Sequence, residues 1–362
     1  MKCSVVILNW NGEKMLRQFL PSVLCHTQIP DVEIVVADNG STDGSLEYLQ
    51  TQPVRIVILD KNYGFAEGYN RALEYIDANY TVLLNSDVEV TPNWLNNMLA
   101  YMDSHPNIVA AQPKVLSWHS KELWKKGEVS AISFEHAGAA GGMIDMLGYP
   151  YCRGRIMTHV EEDHGQYDCN SHIFWATGAC MIIRTQIYKG MGGLDANFFA
   201  HQEEIDLCWR ILNQYPYSIM ALPSSVVYHV GGGTLGYESP RKTFLNFRNN
   251  LLMLRKNLPS SQLWWVMWIR FFMDYAAALQ MLITKQWKNA LAVVEARIAY
   301  HKLKKHYPKS HSQSTKSDSL IAQRSIIWDF YIRKKKKIVQ NACRFAFFLY
   351  LCGEFCKISQ IS

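Results

Sequence analysis

The stretch Leu83-Leu84-Asn85-Ser86-Asp87 joins an apolar run, Tyr80 to Leu84, to a polar stop carrying one carboxylate. A short apolar run of this kind reads as a buried strand. A carboxylate at its carboxyl end stands where open α/β sheets hold their ligands. One hard oxygen ligand there suits a divalent cation that keeps its waters and shares them with a phosphate. Asn, Ser and Asp also favour turns, so the motif alone is equally a plain turn.

Three more loops follow strand-like runs. Val5 to Leu8 leads into Asn9-Trp10-Asn11-Gly12. Glu33 to Ala37 leads into Asp38-Asn39-Gly40-Ser41-Thr42-Asp43-Gly44, where a carboxylate can accept hydrogen bonds from a nucleotide's base or ribose. Arg55 to Leu59 leads toward Lys61-Asn62-Tyr63-Gly64-Phe65-Ala66-Glu67-Gly68-Tyr69-Asn70. Its glycines permit close backbone approach to a ligand, and a helix starting near Phe65 aims amides the same way. A dinucleotide dehydrogenase would carry GxGxxG after the first strand; Asn-Trp-Asn-Gly excludes it.

The elements that must position these loops are strands alternating with helices. Helices are expected over Lys14–Cys25, Ser45–Thr51 and Phe65–Ala78. The alternation implies an α/β fold with a mostly parallel sheet and helices on both faces. Residues 117–171 lose periodicity and read as a loop-rich region for substrate selectivity. Regular elements return at Ile173–Arg184 and continue to Leu258.

The series VVILNWNG, VVADNGSTDGS, KNYGFAEGYNRA, LLNSDVEV, FWATGACMIIR, GGLDANFFAHQEEIDLCWR and VYHVGGGT resembles the family 2 glycosyltransferases of GT-A (Rossmann-like) fold. It is most similar to the rhamnosyltransferase-like members that build bacterial surface polysaccharides, and the likeness spans roughly residues 3–255. The resemblance implies a donor site from Asn9, Asn11, Asp38, Lys61, Gly64, Gly68, Asn70, Asn85 and Ser86, with Asp38 holding the nucleotide base. Asp87 matches the last acid of the DxD-type motif that binds Mg2+ or Mn2+ on the sugar diphosphate. Asn85 replaces the first acid, leaving one carboxylate where the stricter pattern has two. His229 matches a further metal ligand.

Glu203-Glu204-Ile205-Asp206 matches the family's acidic ExxD-like motif. The resemblance makes Glu204 the general base, with Glu203 the alternative and Asp206 the third acid. Acids at a helix head are also favoured by the macrodipole alone. Trp175, Thr177, Gly178 and Trp209 stand where members shape or support the acceptor site. Arg248, with Asn249, resembles a late pair near the donor phosphates. The implied activity is inverting, metal-dependent transfer of a sugar from dTDP-rhamnose or a UDP-hexose to a lipid-linked glycan acceptor. A nucleotidyltransferase would need a basic, Gly-rich triphosphate loop after the first strand, and none is present. Intact acids at 38, 87, 203, 204 and 206 argue against a non-catalytic sugar-binding scaffold.

Charge divides the 362 residues. Residues 284–362 hold 16 Lys and Arg against 4 Asp and Glu, a net +12; the rest is −6. Nine cysteines with no CxxC pair point to reduced thiols and the cytosol. Asn9 interrupts the first apolar run too early for a signal-peptide core. Leu263 to Ile283 is long enough to span a bilayer. Arg270 and Asp274 lie inside it, four apart, and each charge at mid-bilayer would cost about 2.5–3.5 kcal/mol. An interfacial helix avoids that cost, and its tryptophans suit the headgroup zone. The clusters Lys302-Leu303-Lys304-Lys305 and Arg333-Lys334-Lys335-Lys336-Lys337 would attract anionic lipid. The alternative is a solvated basic tail packed on the protein's own core. No basic-aromatic pattern points to nucleic acid. The expected organisation is a catalytic domain over 1–258 and a helical, membrane-associating extension over 259–362. Its expected place is the cytoplasmic face of the bacterial inner membrane, attached peripherally.

Overall fold

A computed structural model describes residues 1–231, 239–307, 316–335 and 337. The first half alternates β1 (Cys3–Asn9), α1 (Glu13–His26), β2 (Val32–Asn39), α2 (Ser45–Gln50), β3 (Arg55–Leu59), α3 (Gly64–Glu74) and β4 (Tyr80–Asn85). A short β5 (Val88–Val90), α4 (Trp94–Ser104), β6 (Ile108–Ser117) and α5 (Trp118–Lys125) follow. Each strand lies within two residues of its expected bounds. Helix α3 ends at Glu74, short of the expected Ala78. Just past its end, side chains take the carbonyls instead: Arg55 donates to the Tyr75 oxygen and Lys189 to that of Ile76.

The strands β1 to β4 pair in parallel in the order β3-β2-β1-β4. Their apolar residues are buried on both faces. Val5 and Ile7 face α1 and α4, whereas Val6, Val35 and Ala37 face α3. That two-sided burial is why the strands read as unbroken apolar runs. Helix α1 shows the matching one-sided pattern, burying Leu16, Phe19, Leu20 and Val23.

Beyond β4 the sheet continues through β12 (Cys180–Arg184), β6, β13 (Ser218–His229) and β11 (Ser171–Ile173). β12 runs antiparallel to both β4 and β6, so the sheet is mixed but mostly parallel. The region expected to be loop-rich instead holds a small antiparallel sheet, β7 (Gly142–Ile144), β8 (Pro150–Cys152), β9 (Arg155–Ile156) and β10 (His159–Val160). Strands of two or three residues are too short to show alternation in a sequence, which is why they were not legible.

The remaining α-helices among the described residues are α6 (Thr185–Gly190), α7 (Glu203–Gln214), α8 (Pro240–Asn257), α9 (Ser260–Ile283), α10 (Trp287–Leu303) and a short α11 (Lys316–Leu320). α9 is the one described helix long and apolar enough to cross a membrane. Its two charges face inward. Arg270 and Asp274 pair at 3.3 Å, both almost wholly buried, and Arg297 of α10 closes on Asp274 at 2.6 Å. Arg270 also donates to the Leu147 carbonyl and to Asn250 of α8, and lies 4.0 Å from the Tyr149 ring centroid. The outer face of α9 bares Trp264, Trp268, Phe272, Leu279 and Ile283, two of them more than 70% exposed. α9 is therefore fastened to Leu147 and to Asn250 of α8. Residues 316–335 also reach back along the chain: Ile326 donates its amide to Asp145, and Ser317 its hydroxyl to Asn213. Of the expected basic clusters, Lys336 lies outside the described residues, as do 338–362.

Candidate active site

The sheet register brings three polar strand ends into one row. Asn9 of β1 stands opposite Asp38 of β2, and Leu8 opposite Asn85 of β4. The chain turns outward from β1 on one side and β4 on the other, which makes this the crevice where α/β sheets bind ligands.

On the β2 side, loops are laced to one another. Asp38 is wholly buried; it accepts from the Asn9 side chain at 3.1 Å and the Ser41 amide at 2.9 Å. The Ser41 hydroxyl accepts the Asn11 amide, and the Asn11 side chain accepts the Thr42 amide. Trp10 stays exposed beside them. Asn39 clasps the third loop, accepting from the Tyr63 amide and donating to the Gly64 carbonyl. Lys61 is exposed, its ammonium 5.1 Å from the Tyr63 ring centroid.

Three residues in this region face protein rather than open space. A Cβ on Gly64 would sit 2.5 Å from the Phe199 ring, and Gly64 has φ +79. A Cβ on Gly68 would meet Leu8 at 2.9 Å. Their close approach is thus to neighbouring side chains, not to a ligand. Asn70 spends its amide on the Leu194 backbone and the Tyr188 hydroxyl.

At the end of β4 the chain leaves the strand through Asn85-Ser86-Asp87 and rejoins the sheet as β5 beside β13, with Val88 opposite His229. This corner sets Asp87 against His229. The Nε2 atom of His229 lies 3.1 Å from Asp87 Oδ1 and 3.4 Å from the Asn85 amide. Its Nδ1 lies 3.3 Å from Glu135 Oε2, an ion-pair contact that falls short of hydrogen-bond alignment. Ser86 is half-buried at the same corner. Burial opposes charge on Asp87 and Glu135, yet His229 holds both carboxyls below their usual range. Burial likewise opposes the imidazolium, but the two carboxylates prevail and raise His229 to about 10.

Among the described residues, no group of three His, Cys, Asp or Glu side chains is set to hold a metal ion unaided. The donor set at this corner fits a cation shared with a ligand. Asp87 and His229 Nε2 converge there, one hard oxygen and one imidazole, and a diphosphate and water would complete the shell. The Gly231 backbone follows directly after Val230, whose amide donates to the Asp87 carbonyl. Gly232, Gly233 and Thr234 of the same motif lie outside the described residues.

The strand β12 links this corner to the acidic motif. The Asn85 amide donates to the Ala179 carbonyl, and neighbouring Gly178 packs against Phe65 and Glu204. Glu203, Glu204 and Asp206 occupy the first turn of α7. Glu203 is buried and Glu204 half-buried, and each has one carboxylate oxygen without a hydrogen-bond partner. Burial, then the neighbouring Glu204 charge, pushes Glu203 well above the usual carboxylate range. Burial raises Glu204 to about 7, against backbone amides, including that of Gly178, which favour its charged form. Asp206 differs. Wholly buried, it accepts from Arg210, Lys256 and Asn257 at 2.7–2.9 Å. Both its oxygens are occupied, so it braces α7 against α8 rather than facing an acceptor.

Residues 199–202 enter α7 under backbone strain: Phe199, His201 and Gln202 all have φ between 63° and 74°. Such conformations cost about 1–3 kcal/mol each for residues with a side chain. The Arg248–Asn249 pair secures them. The Asn249 amide donates to the Phe198, Ala200 and His201 carbonyls, and Arg248 to those of Asn197 and Phe198. Arg248, expected near the donor phosphates, thus holds the loop that aims Glu204. Two candidate acceptor residues are also enclosed. Trp209 packs edge-on to Phe174 in the core, and Trp175 donates to the Met143 carbonyl. Thr177 is buried with its amide on Gln112, leaving Gly178 as the backbone beside Glu204. Glu135 and Asn249's bracing role escaped sequence reading. Glu135 lies in an aperiodic stretch, and only the fold carries it to His229.

Comparison with known proteins agrees with this geometry. The sequence model for "Glycosyl transferase family 2" matches residues 4–190. The chain is 26% identical over 236 residues to the O-antigen biosynthesis protein RfbC of Myxococcus xanthus, covering 63% of this chain and 17% of that protein. It is 23% identical over 289 residues to an N-acetylglucosaminyl-diphospho-decaprenol L-rhamnosyltransferase of Mycobacterium tuberculosis, covering 76% and 90%. The chain thus spans less than a fifth of one relative and nearly all of another. Among solved structures, GalNAc-T7 with UDP, GalNAc and Mn2+ superposes with a TM-score of 0.54 at 16% identity, covering 86% of this chain and 55% of that one. S. aureus TarS 1-349 with UDP-GlcNAc gives 0.50 at 18%, covering 82% and 81%. These likenesses speak to the fold. The family match spans more than half of the chain, and with the sheet and its acidic edge it makes the protein a member of glycosyltransferase family 2 with a GT-A fold.

Proposed function

We propose that the protein transfers a sugar, with inversion, from a nucleoside diphosphate sugar to a lipid-linked glycan at the cytoplasmic face of the bacterial inner membrane. The observation that carries this is the Glu204 carboxylate, one oxygen buried without a hydrogen-bond partner, raised to about 7 and joined through Gly178 and Ala179 to the Asn85–Asp87–His229 corner. dTDP-rhamnose is the leading donor, supported by the rhamnosyltransferase relative, with UDP-hexoses second.

In this reading the Asn9–Asp38–Ser41 loops receive the nucleoside, and Trp10 offers it a flat apolar face. Asp87 and His229 would hold a divalent cation, Mg2+ or Mn2+, which when bound neutralises charge growing on the leaving diphosphate. Glu204 accepts the proton of the attacking hydroxyl; a pKa near working pH is what a general base requires. Burial and the neighbouring Glu204 disfavour a second negative charge at Glu203. The strained 199–202 loop fixes the approach of Glu204, and the apolar face of α9 supports docking at the surface that anchors the acceptor.

The test is a panel of nucleotide sugars with and without Mn2+, read first by thermal shift and then by transfer to a synthetic polyprenyl-diphosphate sugar. The matching donor raises Tm by mass action. NMR of the product should show an anomeric configuration opposite to the donor's. Retained configuration, or transfer independent of any divalent cation, would refute the mechanism.

A further inference from the structure

We infer that Glu135 is a positioning residue: it holds the Nδ1–H of His229 so that Nε2 is the atom presented to the cation. The inference rests on the proposed reading of Asp87 and His229 as that cation's ligands. It concerns a residue from outside every motif of the chain.

The two ring nitrogens of His229 face different company. Asn85 and Asp87 lie on the Nε2 side, and Glu135 lies across the ring at Nδ1. Glu135 cannot therefore bind the same ion as Nε2 through this contact. Its own placement is over-determined. The Glu135 amide donates to the Val115 carbonyl, the adjacent Phe134 bridges Leu116, and the Ser117 amide donates to Ser133. Oε2 also accepts the Ala137 amide. Residues 133–135 thus run as a strap along the end of β6, the strand paired with β13, where Ser117 stands opposite His229. The strap delivers one buried carboxylate to the back of one imidazole.

A histidine that ligates a metal through one nitrogen usually donates its other N–H to a carboxylate or carbonyl. That bond fixes the tautomer, holds the ring plane and makes the ligating nitrogen more basic. Glu135 supplies this partner from a distant segment. The off-line 3.3 Å contact would straighten as the ring turns by a small angle toward the ion. His136, the next residue, Lys242 of α8 and Cys152 of β8 also act electrostatically with Glu135.

The experiment titrates the full chain with Mn2+ in the presence of UDP or dTDP and follows free Mn2+ by EPR. Outer partners of metal-bound histidines are typically worth about 10–100-fold in affinity. Glu135→Ala should weaken Mn2+ binding by that factor, and Glu135→Gln, whose carbonyl still accepts from Nδ1–H, should recover most of it. His229→Ala marks the full loss. Long-range 1H–15N spectra of the histidine rings supply a readout free of metal and substrate. They should show the Nδ1–H form of neutral His229 at alkaline pH in wild type, and a shift toward Nε2–H in Glu135→Ala. If Glu135→Ala folds poorly, the tautomer and affinity of Glu135→Gln carry the test. Wild-type Mn2+ affinity in Glu135→Ala alongside weak binding in His229→Ala would overturn the inference while leaving the metal reading intact. Failure of wild type to bind Mn2+ would overturn both.

Discussion

At the scale of single residues, the two adjacent glutamates on α7 separate by environment. Burial and the neighbouring carboxylate push buried Glu203 well above the usual carboxylate range, whereas burial raises half-buried Glu204 to about 7. Glu204→Gln should lower kcat by roughly 10²–10⁴-fold, the usual worth of a general base, with donor affinity retained. Glu203→Gln, an isostere of the protonated form that burial favours, should keep most activity. Steady-state kinetics on both variants decides which glutamate takes the proton. The same pKa sets the pH response. A base works ionised, so kcat/KM should fall as pH drops through about 7. The folded pKa lies above the ordinary 4.5, so ionising Glu204 costs stability progressively from about pH 4.5 to 7. Glu204→Gln should therefore raise Tm at pH 8 and leave it unchanged at pH 4. Asp206, two residues on, is instead held in an ion-pair network. Its removal takes the carboxylate from Arg210 and leaves Lys256 with Asp195 alone, and breaking a buried ion pair costs about 3–5 kcal/mol. Urea unfolding of Asp206→Asn should show that loss, out of proportion to any change in KM.

At the scale of elements, how far each part was legible follows from period and distance. β1 to β4 repeat apolar residues long enough to be read, and their carboxyl ends announce Asn9, Asp38 and Asp87. Gly64, Gly68, Asn70 and Arg248 carried the right motif but the wrong neighbours. Phe199, Leu8, Leu194 and the 197–201 carbonyls reach them only after folding. Motif spacing says which residues share a loop; it does not say what fills the space beside them. Helix α9 shows the same limit in the other direction. Its Arg270–Asp274 spacing was visible, but Arg297 and Asn250, which complete the buried cluster, come from other helices. Asp274→Leu should unfold the extension by leaving two buried arginines unpaired, whereas Trp268→Ser and Phe272→Ser on the outer face should spare stability. Thermal melts of the three variants distinguish these outcomes.

At the scale of the molecule, an acidic body and a basic end are joined by a helix whose rings point outward. Binding to vesicles containing anionic lipid should fall when Trp264, Trp268 and Phe272 are replaced together by serine. It should fall also when salt is raised, since screening weakens attraction between lysines and headgroups. Sedimentation at low and high salt measures both contributions. One consequence of α9 concerns handling. A segment that hides its ions and displays its indoles inverts the dress of a water-soluble helix. Stripped of amphiphile, copies of the chain would find each other's bare faces as readily as a bilayer. Mild detergent throughout preparation should yield monodisperse enzyme, and its removal should yield clumps that disperse again when lipid is returned.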